Sequence, residues 1–310
     1  MSAQADDWTP YRLEQRDALL CRWFSAAGRR YSEPFFEESV ARCLSEPPNG
    51  MPYASLSSLD FLLHAAPAVD AVPPAAFIFH VSRCGSTLLA QMLGEDPGHI
   101  VLSEAPLIDQ LLRLPLKTGM TSGETAPVLQ AAIALLGRRR FGETRLFAKL
   151  DSWHIHYAGL LRELYPEVPF IMLTRTPLEV LRSQRAQRGL HAVPGLLEPE
   201  LFGLHAEDVP MTDADAYLGQ VLAYYYARFA ELARDRRNLL LDYSFGPELM
   251  MSRLSDHIGM KPDAATREAM RDRSRFHSKR PGSAFAEAPA NEILPACLEQ
   301  AEAAYRRLGL

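Results

Sequence analysis

A short segment between two largely apolar runs carries the residue types best suited to bind an anion. The run at 77–81 is followed by SRCGST at 82–87, and then by LLAQML. Arg83 adds permanent positive charge, Gly85 lets the backbone approach an oxyanion, and Ser86 opens a helix whose free N–H groups favour anions. The segment therefore predicts a phosphate-binding turn. A plain strand-to-helix turn capped by a serine is the alternative for this stretch alone.

A second segment of the same kind, PFIMLTRTPLEVLRSQ, lies at 169–184. Arg175 stands at the carboxyl end of its predicted strand, and Pro177 suits the first turn of the helix that follows. Ser183 comes eight residues after Arg175, two turns into that helix. This interval predicts that both side chains hold one phosphate.

Both segments belong to an alternation of short apolar strands and helices that begins near residue 76. The strands are predicted at 76–81, 100–102, 145–150, 169–174 and 238–242. This pattern predicts an α/β fold: a three-layer, P-loop-type parallel sheet flanked by helices. Ligands of such sheets bind beyond the carboxyl ends of the strands, where both segments lie.

The residues before this alternation predict a helical N-terminal segment, 1–72, packed on the core of the main domain, 73–310. YRLEQRDALLCRWFSAAG at 11–28 looks amphipathic and helical, and a second helix is predicted to start at Ser32 or Glu33. An Ala/Pro-rich linker separates the two parts. Two long loops are predicted, RLPLKTGMTSGETAP and the segment at 189–213, and the second is a candidate lid or acceptor wall.

Composition excludes several classes of function. The formal net charge of -5 and the pI near 6.0 argue against nucleic acid or an anionic membrane as partner. There is no secretory leader pattern and no apolar run long enough for a membrane span, so we expect a cytoplasmic protein. The four cysteines are widely spaced, which indicates neither a disulfide framework nor a zinc site.

The two anion-binding segments together resemble the motifs of the P-loop sulfotransferases, which use 3′-phosphoadenosine 5′-phosphosulfate (PAPS). That family's first motif binds the 5′-phosphosulfate, and the matching residues here are Arg83, Cys84, Gly85, Ser86 and Thr87. Its second motif binds the 3′-phosphate and matches Arg175, Pro177 and Ser183. The resemblance implies a P-loop sulfotransferase-like domain at 73–310.

The resemblance continues more weakly toward the carboxyl terminus. NLLLDYSFGPELMMSRLSDHIGM looks like the family's late strand, turn and helix, although Ser244 stands where an acidic residue is common. SRFHSKRPGS looks like the family's basic cofactor loop, which implies Lys279 and Arg280 as further cofactor contacts. The resemblance assigns no residue to the adenine, and Trp153 is either a stacking partner for that ring or a core residue.

The resemblance implies transfer of a sulfonate group to a hydroxyl or amine of a small-molecule or peptide acceptor, leaving adenosine 3′,5′-bisphosphate (PAP), with no metal. Such transfer needs positioning and neutralised charge, for which Arg83 and Lys149 are the candidates. Glu104 matches the base of the protein-tyrosine branch in spacing, although it also suits a helix start. Asp151 stands where the small-molecule branch has its histidine base.

Two other functions fit parts of the sequence. A nucleotide kinase or NTPase would use Asp242 or Asp151 to hold Mg²⁺, but its motif needs a lysine after the loop glycine, where Ser86 stands. A binding protein with the same fold would keep the phosphate sites and lack the base. A nucleophilic role for Cys84 is disfavoured because the family has a chemically silent residue there.

Overall fold

The main sheet of the protein, seen in a computed structural model that describes residues 8–26, 28–49, 55–276 and 293–310, consists of five parallel strands. These are β4 (Pro74–His80), β5 (His99–Ser103), β6 (Arg145–Lys149), β7 (Phe170–Thr174) and β8 (Leu239–Asp242). They lie in the order β5-β6-β4-β7-β8, and every neighbouring pair is parallel. The α/β fold expected from the sequence is confirmed.

Helices connect and flank these strands. They are α1 (Phe36–Leu44), α2 (Leu59–Ala65), α3 (Ser86–Gly94), α4 (Pro106–Lys117), α5 (Ser122–Leu136), α6 (Ala158–Leu164), α7 (Pro177–Ala186), α8 (Ala214–Leu232), α9 (Gly246–His257), α10 (Ala264–Ser274) and α11 (Glu299–Arg306). None of the helices in the described part of the chain is long and apolar enough to cross a membrane.

The strands are apolar because helices cover the sheet. All residues of β5 and β7 are buried, and Phe79 of β4 packs edge to face on Phe170 of β7, with ring centroids 5.1 Å apart. Burying one such side chain contributes about 1.5–3 kcal/mol. Strands covered on both faces need continuous apolar runs, whereas strands with one exposed face alternate apolar and polar residues. The sequence contains the continuous runs.

The strand register brings the carboxyl ends of the strands to one edge of the sheet. Ser103 of β5 pairs with Lys149 of β6, and Thr174 of β7 pairs with Asp242 of β8. Each residue that follows a strand end is therefore delivered to the same crevice.

The front of the chain is not the helical segment that the sequence predicts. Residues 8–25 form two antiparallel strands, β1 (Trp8–Gln15) and β2 (Leu19–Ser25), and a third strand, β3 (Ser55–Ser58), pairs with β2. Tyr11 and Leu13 are buried and the intervening Arg12 is exposed, which is a strand periodicity. The front sheet packs on α4, where the Leu13 N–H donates to Gln110 Oε1 at 2.6 Å.

The second helix predicted in the front segment exists, but it begins at Phe36, later than Ser32 or Glu33. The division of the chain at residue 72 stays a prediction.

The first of the two predicted loops is largely helical. Pro115 lies inside α4 and Pro127 inside α5, so only residues 118–121 connect the two helices. Thr121 and Glu124 form a reciprocal capping box that starts α5. The second predicted loop, at 189–213, is irregular apart from short 3₁₀ turns.

Candidate active site

Three neighbouring strands in the middle of the sheet each lead to a basic residue at the carboxyl edge. Lys149 ends β6, Arg83 follows β4, and Arg175 directly follows β7. Lys149 and Arg175 are buried, and Arg83 is half-buried. Three cations are therefore gathered where parallel sheets bind their ligands, in a chain whose net charge is negative.

The turn after β4 has an unusual backbone. Among the described residues, positive φ outside glycine occurs at Ser82 (65°), Arg83 (53°) and Glu104 (54°), and Gly85 has φ 79°. A left-handed conformation costs a non-glycine residue about 1–3 kcal/mol and persists where surrounding contacts enforce it. Such residues concentrate at functional sites, and here they lie at the ends of β4 and β5.

Because Gly85 has no side chain, its backbone can lie close to the ring of Tyr243. A Cβ atom at this position would lie 3.1 and 3.2 Å from two ring atoms of Tyr243. Gly85 precedes Ser86, the first residue of α3, and no side chain caps this helix. The N-terminal N–H groups of α3 and its positive dipole end therefore face the crevice.

Arg175 joins the second predicted motif to the first. Its Nη1 donates to the carbonyl oxygen of Arg83 at 2.9 Å, and its guanidinium carbon lies 4.2 Å from the centroid of the Tyr243 ring. Its Nε lies 3.6 Å from Glu179 Oε2, and its own carbonyl accepts from the Tyr226 hydroxyl at 2.7 Å. These contacts hold the guanidinium beside the turn.

The Arg83 side chain reaches the far end of α7. Its Nη2 donates to the carbonyl oxygen of Gln187, the residue that closes this helix. Burial lowers the pKa of Arg83 from its ordinary value, which leaves an arginine charged. Arg83 therefore spans from the turn to the helix that carries Ser183.

Lys149 and Glu104 form an ion pair in which Lys149 is buried and Glu104 is half-buried. Lys149 Nζ contacts Glu104 Oε1, and the Glu104 N–H donates to the Lys149 carbonyl oxygen at 2.7 Å. Burial would raise the pKa of Glu104, but the Lys149 ammonium and His80 outweigh it and hold that pKa below its usual value. Glu104 is thus ionised, and the predicted charge-neutralising and base residues are in contact.

His80 is a site residue that the sequence analysis did not find. Its Nε2 lies 3.4 Å from Glu104 Oε1, and its Nδ1 accepts from the Ser82 N–H at 3.0 Å. Gln184, next to Ser183 on α7, donates to the Ser82 hydroxyl at 3.2 Å. In the sequence, only its position as a polar residue at the end of an otherwise apolar strand could have indicated that His80 lies at the site.

Asp151 has a different environment from Glu104. Its Oδ2 lies 3.8 Å from His154 Nε2, which contacts Asp109 Oδ1 at 2.9 Å. Burial, reinforced by the charges of Glu104 and Asp109, raises the pKa of Asp151 to about 7 despite His154. Burial would also raise the pKa of Asp109, but His154, Arg113 and the other donors lower it to about 2. The pKa of Asp151 is therefore raised while that of Glu104 is lowered, although both carboxyl groups follow strand ends.

Asp109, Asp151 and His154 offer ligand atoms within 4.8 Å of one another, a spacing that would suit a metal ion. Asp109 Oδ1 already accepts from Trp153 Nε1 at 2.6 Å and contacts His154, and its Oδ2 accepts from Arg113 at 2.9 Å. A cation would have to displace these donors and lie beside a guanidinium. We therefore assign the cluster no metal.

The remaining predicted residues lie as follows. Ser86 and Thr87 are buried at the start of α3, and Ser183 is half-buried on α7. Burial raises the pKa of the Cys84 thiol to about 11, and Cys84 Sγ lies 3.4 Å from the Leu173 carbonyl oxygen. Lys279 and Arg280 lie outside the described residues.

Two residues named in the sequence analysis have structural partners. Trp153 is buried and donates to Asp109, so it is a core residue. Asp242 accepts from the Ser244 N–H at 2.9 Å and from the Tyr305 hydroxyl at 2.8 Å, which commits both of its oxygens to the fold.

Phe35 of the front segment lies beside the ion pair of Lys149 and Glu104. Phe35 is half-buried just before α1, and Lys149 Nζ lies 5.5 Å from the centroid of its ring. This distance suits a cation–π contact. The front segment therefore reaches the ion pair at the end of β6.

Comparison with known proteins bears on the fold. No protein-family model and no curated protein matches the chain in sequence. Among solved structures, the sulfotransferase STF9 from Mycobacterium avium is similar over 81% of this chain and 79% of its own length, with TM-score 0.50 and 14% identity. The sulfotransferase domain of the Synechococcus PCC 7002 olefin synthase is similar over 76% and 95%, with TM-score 0.47 and 18% identity. Mouse sulfotransferase SULT7A1, complexed with PAP, is similar over 72% of each chain, with TM-score 0.42 and 14% identity. The likeness to STF9 shows that this chain has the sulfotransferase fold.

Proposed function

We propose that this protein transfers a sulfonate group from PAPS to a hydroxyl or amine group of an acceptor and releases PAP. One observation carries the proposal: the three central strands deliver Lys149, Arg83 and Arg175 to one edge of the sheet, beside the N-terminus of α3. The donor has one anionic group at its 5′ end and another at its 3′ position, so it needs cations at both. The sulfotransferase fold and the two sequence motifs support the same reaction.

The site divides naturally into two anion-binding parts. The turn with Arg83 and Gly85, the start of α3 and Lys149 suit the 5′-phosphosulfate. Arg175 and Ser183 suit the 3′-phosphate, and Arg175 is already held beside the turn by its contact with the Arg83 carbonyl oxygen. PAPS supplies the sulfonate group, while the chain supplies fixed charges and N–H donors, which is what a transfer of this kind requires.

Glu104 is the base in this proposal. In the transfer, a bond forms between sulfur and the acceptor oxygen or nitrogen, and the bond from sulfur to the leaving phosphate oxygen breaks. The acceptor proton passes to the Glu104 carboxylate. Glu104 is preferred to Asp151 because it contacts Lys149, the cation placed at the sulfonate end. Asp151 is the alternative base, and its raised pKa suits proton exchange near neutrality.

The kinase alternative has less support. Ser86 follows the loop glycine where the nucleotide motif has a lysine, and both oxygens of Asp242 are used by Ser244 and Tyr305. The same protein can nevertheless be tested for both reactions in one series of titrations.

Calorimetric titration with PAP, AMP and ATP, with and without Mg²⁺, tests the donor. We expect PAP to bind without metal and AMP to bind much more weakly, because AMP lacks the 3′-phosphate. Arg175→Ala should weaken PAP binding at least about tenfold, as loss of a buried charge-assisted contact implies. Tighter Mg²⁺-dependent ATP binding would replace this proposal with a kinase.

Two further variants guard this experiment against a folding artefact. Ser183→Ala removes one hydroxyl from the helix surface and should weaken PAP binding a few-fold. Arg185→Ala removes a cation from the same helix, where it pairs with Asp215 at 2.8 Å, and should leave PAP affinity unchanged. If Arg175→Ala, Ser183→Ala and Arg185→Ala all lose the same PAP affinity, the cause is damage to α7 and not the loss of a phosphate contact.

Turnover separates an enzyme from a binding protein on the same fold. PAP release from PAPS should be measured with a panel of phenols, alcohols, amines and tyrosine peptides, and then with Glu104→Gln and Asp151→Asn. Loss of activity in Glu104→Gln supports the proposed base. If PAP binds but no acceptor is sulfonated, the protein is a binding protein. If an acceptor is sulfonated and neither variant changes the rate of PAP release, the assignment of the base fails.

A further inference from the structure

His80 lies between the phosphate-binding turn and the proposed base. It is the last residue of β4 and only 5% exposed. On one side its Nδ1 accepts the N–H of Ser82, a residue with φ 65°. On the other side its Nε2 lies 3.4 Å from Glu104 Oε1. A buried imidazole with a different partner on each nitrogen has a defined chemical form.

The contact with Ser82 determines that form. A backbone N–H can only donate, so Nδ1 of His80 carries no proton and the neutral ring is protonated at Nε2. That proton faces Glu104 Oε1. Burial and the nearby Lys149 charge lower the pKa of His80 to about 4, so the ring is neutral at physiological pH. At 3.4 Å it faces the carboxylate as a neutral N–H group that could donate to it, and not as a second cation.

In the described part of the chain, two side chains contact the Glu104 carboxylate at the same oxygen. Lys149 Nζ and His80 Nε2 each approach Oε1. The carboxylate is therefore oriented from one side, and its second oxygen is left for the acceptor.

We infer that His80 is a positioning residue that joins the two halves of the reaction site: it stabilises the left-handed turn at Ser82 and orients Glu104 so that Oε2 receives the acceptor proton. This inference rests on the proposed function for the role of Glu104. The hydrogen bond of His80 with Ser82 and its contact with Glu104 do not depend on that function, and both can be tested without PAPS or an acceptor.

Two substitutions separate the two contacts. In His80→Asn the amide lies as far from the backbone as Nδ1, so it can still accept the Ser82 N–H but cannot reach Glu104. In His80→Gln the amide lies at the reach of Nε2, so it can donate to Glu104 but loses the acceptor for Ser82. His80→Phe keeps the ring volume with neither contact and serves as the control for packing.

Nuclear magnetic resonance of the free protein gives the first measurement. Nitrogen shifts of His80 should show the Nε2-protonated neutral ring, and a ring protonated at Nδ1 would overturn the inference. The carboxyl carbon of Glu104, assigned by its loss in Glu104→Gln, should titrate at higher pH in His80→Asn than in the wild type. His80→Gln should return it toward the wild-type midpoint. Identical midpoints in all variants would mean that His80 only fills space.

Binding and turnover give the second measurement. His80→Asn should retain PAP affinity within about threefold but lose about tenfold to a hundredfold in kcat, the range found when the partner that orients a metal ligand is removed. His80→Gln should bind PAP more weakly than the wild type but should lose less in kcat than His80→Asn. If His80→Asn and His80→Gln behave alike, the inference is wrong. If the wild type binds no PAP, the proposed function fails, while the resonance data still decide the contacts of His80.

Discussion

The side-chain ammonium of Lys149 contacts Glu104 Oε1, and the carbonyl oxygen of Lys149 accepts the backbone N–H of Glu104 at 2.7 Å. The ends of β5 and β6 are therefore joined by a main-chain and a side-chain contact at the same pair of residues. The Lys149 side chain is 0% exposed, and that of Glu104 is 24% exposed. A pair placed in this way has consequences for stability as well as for catalysis, because neither charge can be removed without leaving the other in a poor environment.

Removing Lys149 should destabilise the protein more than removing the pair. Lys149→Met leaves Glu104 without its cation and should lower the free energy of unfolding by about 1–3 kcal/mol, less than for a fully buried pair because the carboxylate is 24% exposed. The double variant with Glu104→Gln should lose less than Lys149→Met alone, and therefore less than the sum of the two single changes. Urea denaturation of all four proteins measures this. Additive losses would show that the two side chains do not interact.

The ion pair also predicts a loss of stability in acid. The pKa of Glu104 is held below its ordinary value of 4.5 in the folded protein, so the pair contributes fully above that value. The contribution is lost as the pH falls through the folded pKa, because the folded carboxylate must then be protonated. Urea denaturation below pH 5 should show a steeper fall in unfolding free energy for the wild type than for Glu104→Gln. Parallel curves would contradict the depressed pKa.

Asp151 predicts the opposite dependence on pH. Its pKa is raised from 3.8 to about 7 by burial, so the folded protein holds a proton that the unfolded chain has already lost in that interval. Stability from this group is complete below pH 3.8 and is lost as the pH rises toward 7. Asp151→Asn cannot titrate, so its unfolding free energy should fall less between these values. Asp109→Asn is the contrast, because the pKa of Asp109 is lowered to about 2 and its effect lies at more acid pH.

The sequence identified the parts of the site that depend on local pattern. Apolar runs at β4, β6 and β7 predict a covered parallel sheet, and the residues at their carboxyl ends follow from that topology. Arg83, Lys149 and Arg175 could therefore be placed at one edge without a structure. Glu104 was one of two candidate bases, and its contact with Lys149 depends on strand register, which the sequence does not contain.

The errors arise where distant contacts decide the conformation. Residues 8–25 have a pattern compatible with a helix, but β2 pairs with β3 and the front sheet packs on α4, and these partners are far along the chain. Pro115 was interpreted as a loop signal, yet it lies inside α4, whose apolar face is buried. His80 was correctly predicted to lie in a strand, but its contact with the proposed base was missed because Glu104 lies beyond an intervening helix.

Gly85 should not tolerate a side chain. Its φ of 79° and the Tyr243 ring atoms at 3.1 and 3.2 Å mean that an added Cβ is strained in two ways. Gly85→Ala should cost about 1–2 kcal/mol from the backbone alone and should reduce PAP affinity by displacing the turn. Gly142→Ala is the matched control, since Gly142 has φ 81° and nothing within 4 Å of its added Cβ. Thermal unfolding and calorimetry of both variants measure the two effects, and equal PAP affinities would show that the turn does not bind the ligand.

Phe35 predicts a role for the front sheet and α1 in choosing the acceptor. Its ring centroid lies 5.5 Å from Lys149 Nζ, so Phe35→Ala opens the site beside the proposed sulfonate position. We expect PAP affinity to change less than about threefold, since a weak cation–π contact is worth about 0.5–1 kcal/mol, while the pattern of sulfonated acceptors shifts toward bulkier compounds. Phe61→Ala is the control: Phe61 is also in the front segment, is 51% exposed and packs on Trp23 with ring centroids 5.6 Å apart. The acceptor panel should be run with both variants and the wild type. If Phe35→Ala and Phe61→Ala give the wild-type pattern, the front segment stabilises the domain without lining the acceptor site. If only Phe35→Ala changes it, residues outside the parallel sheet determine which molecule this site modifies.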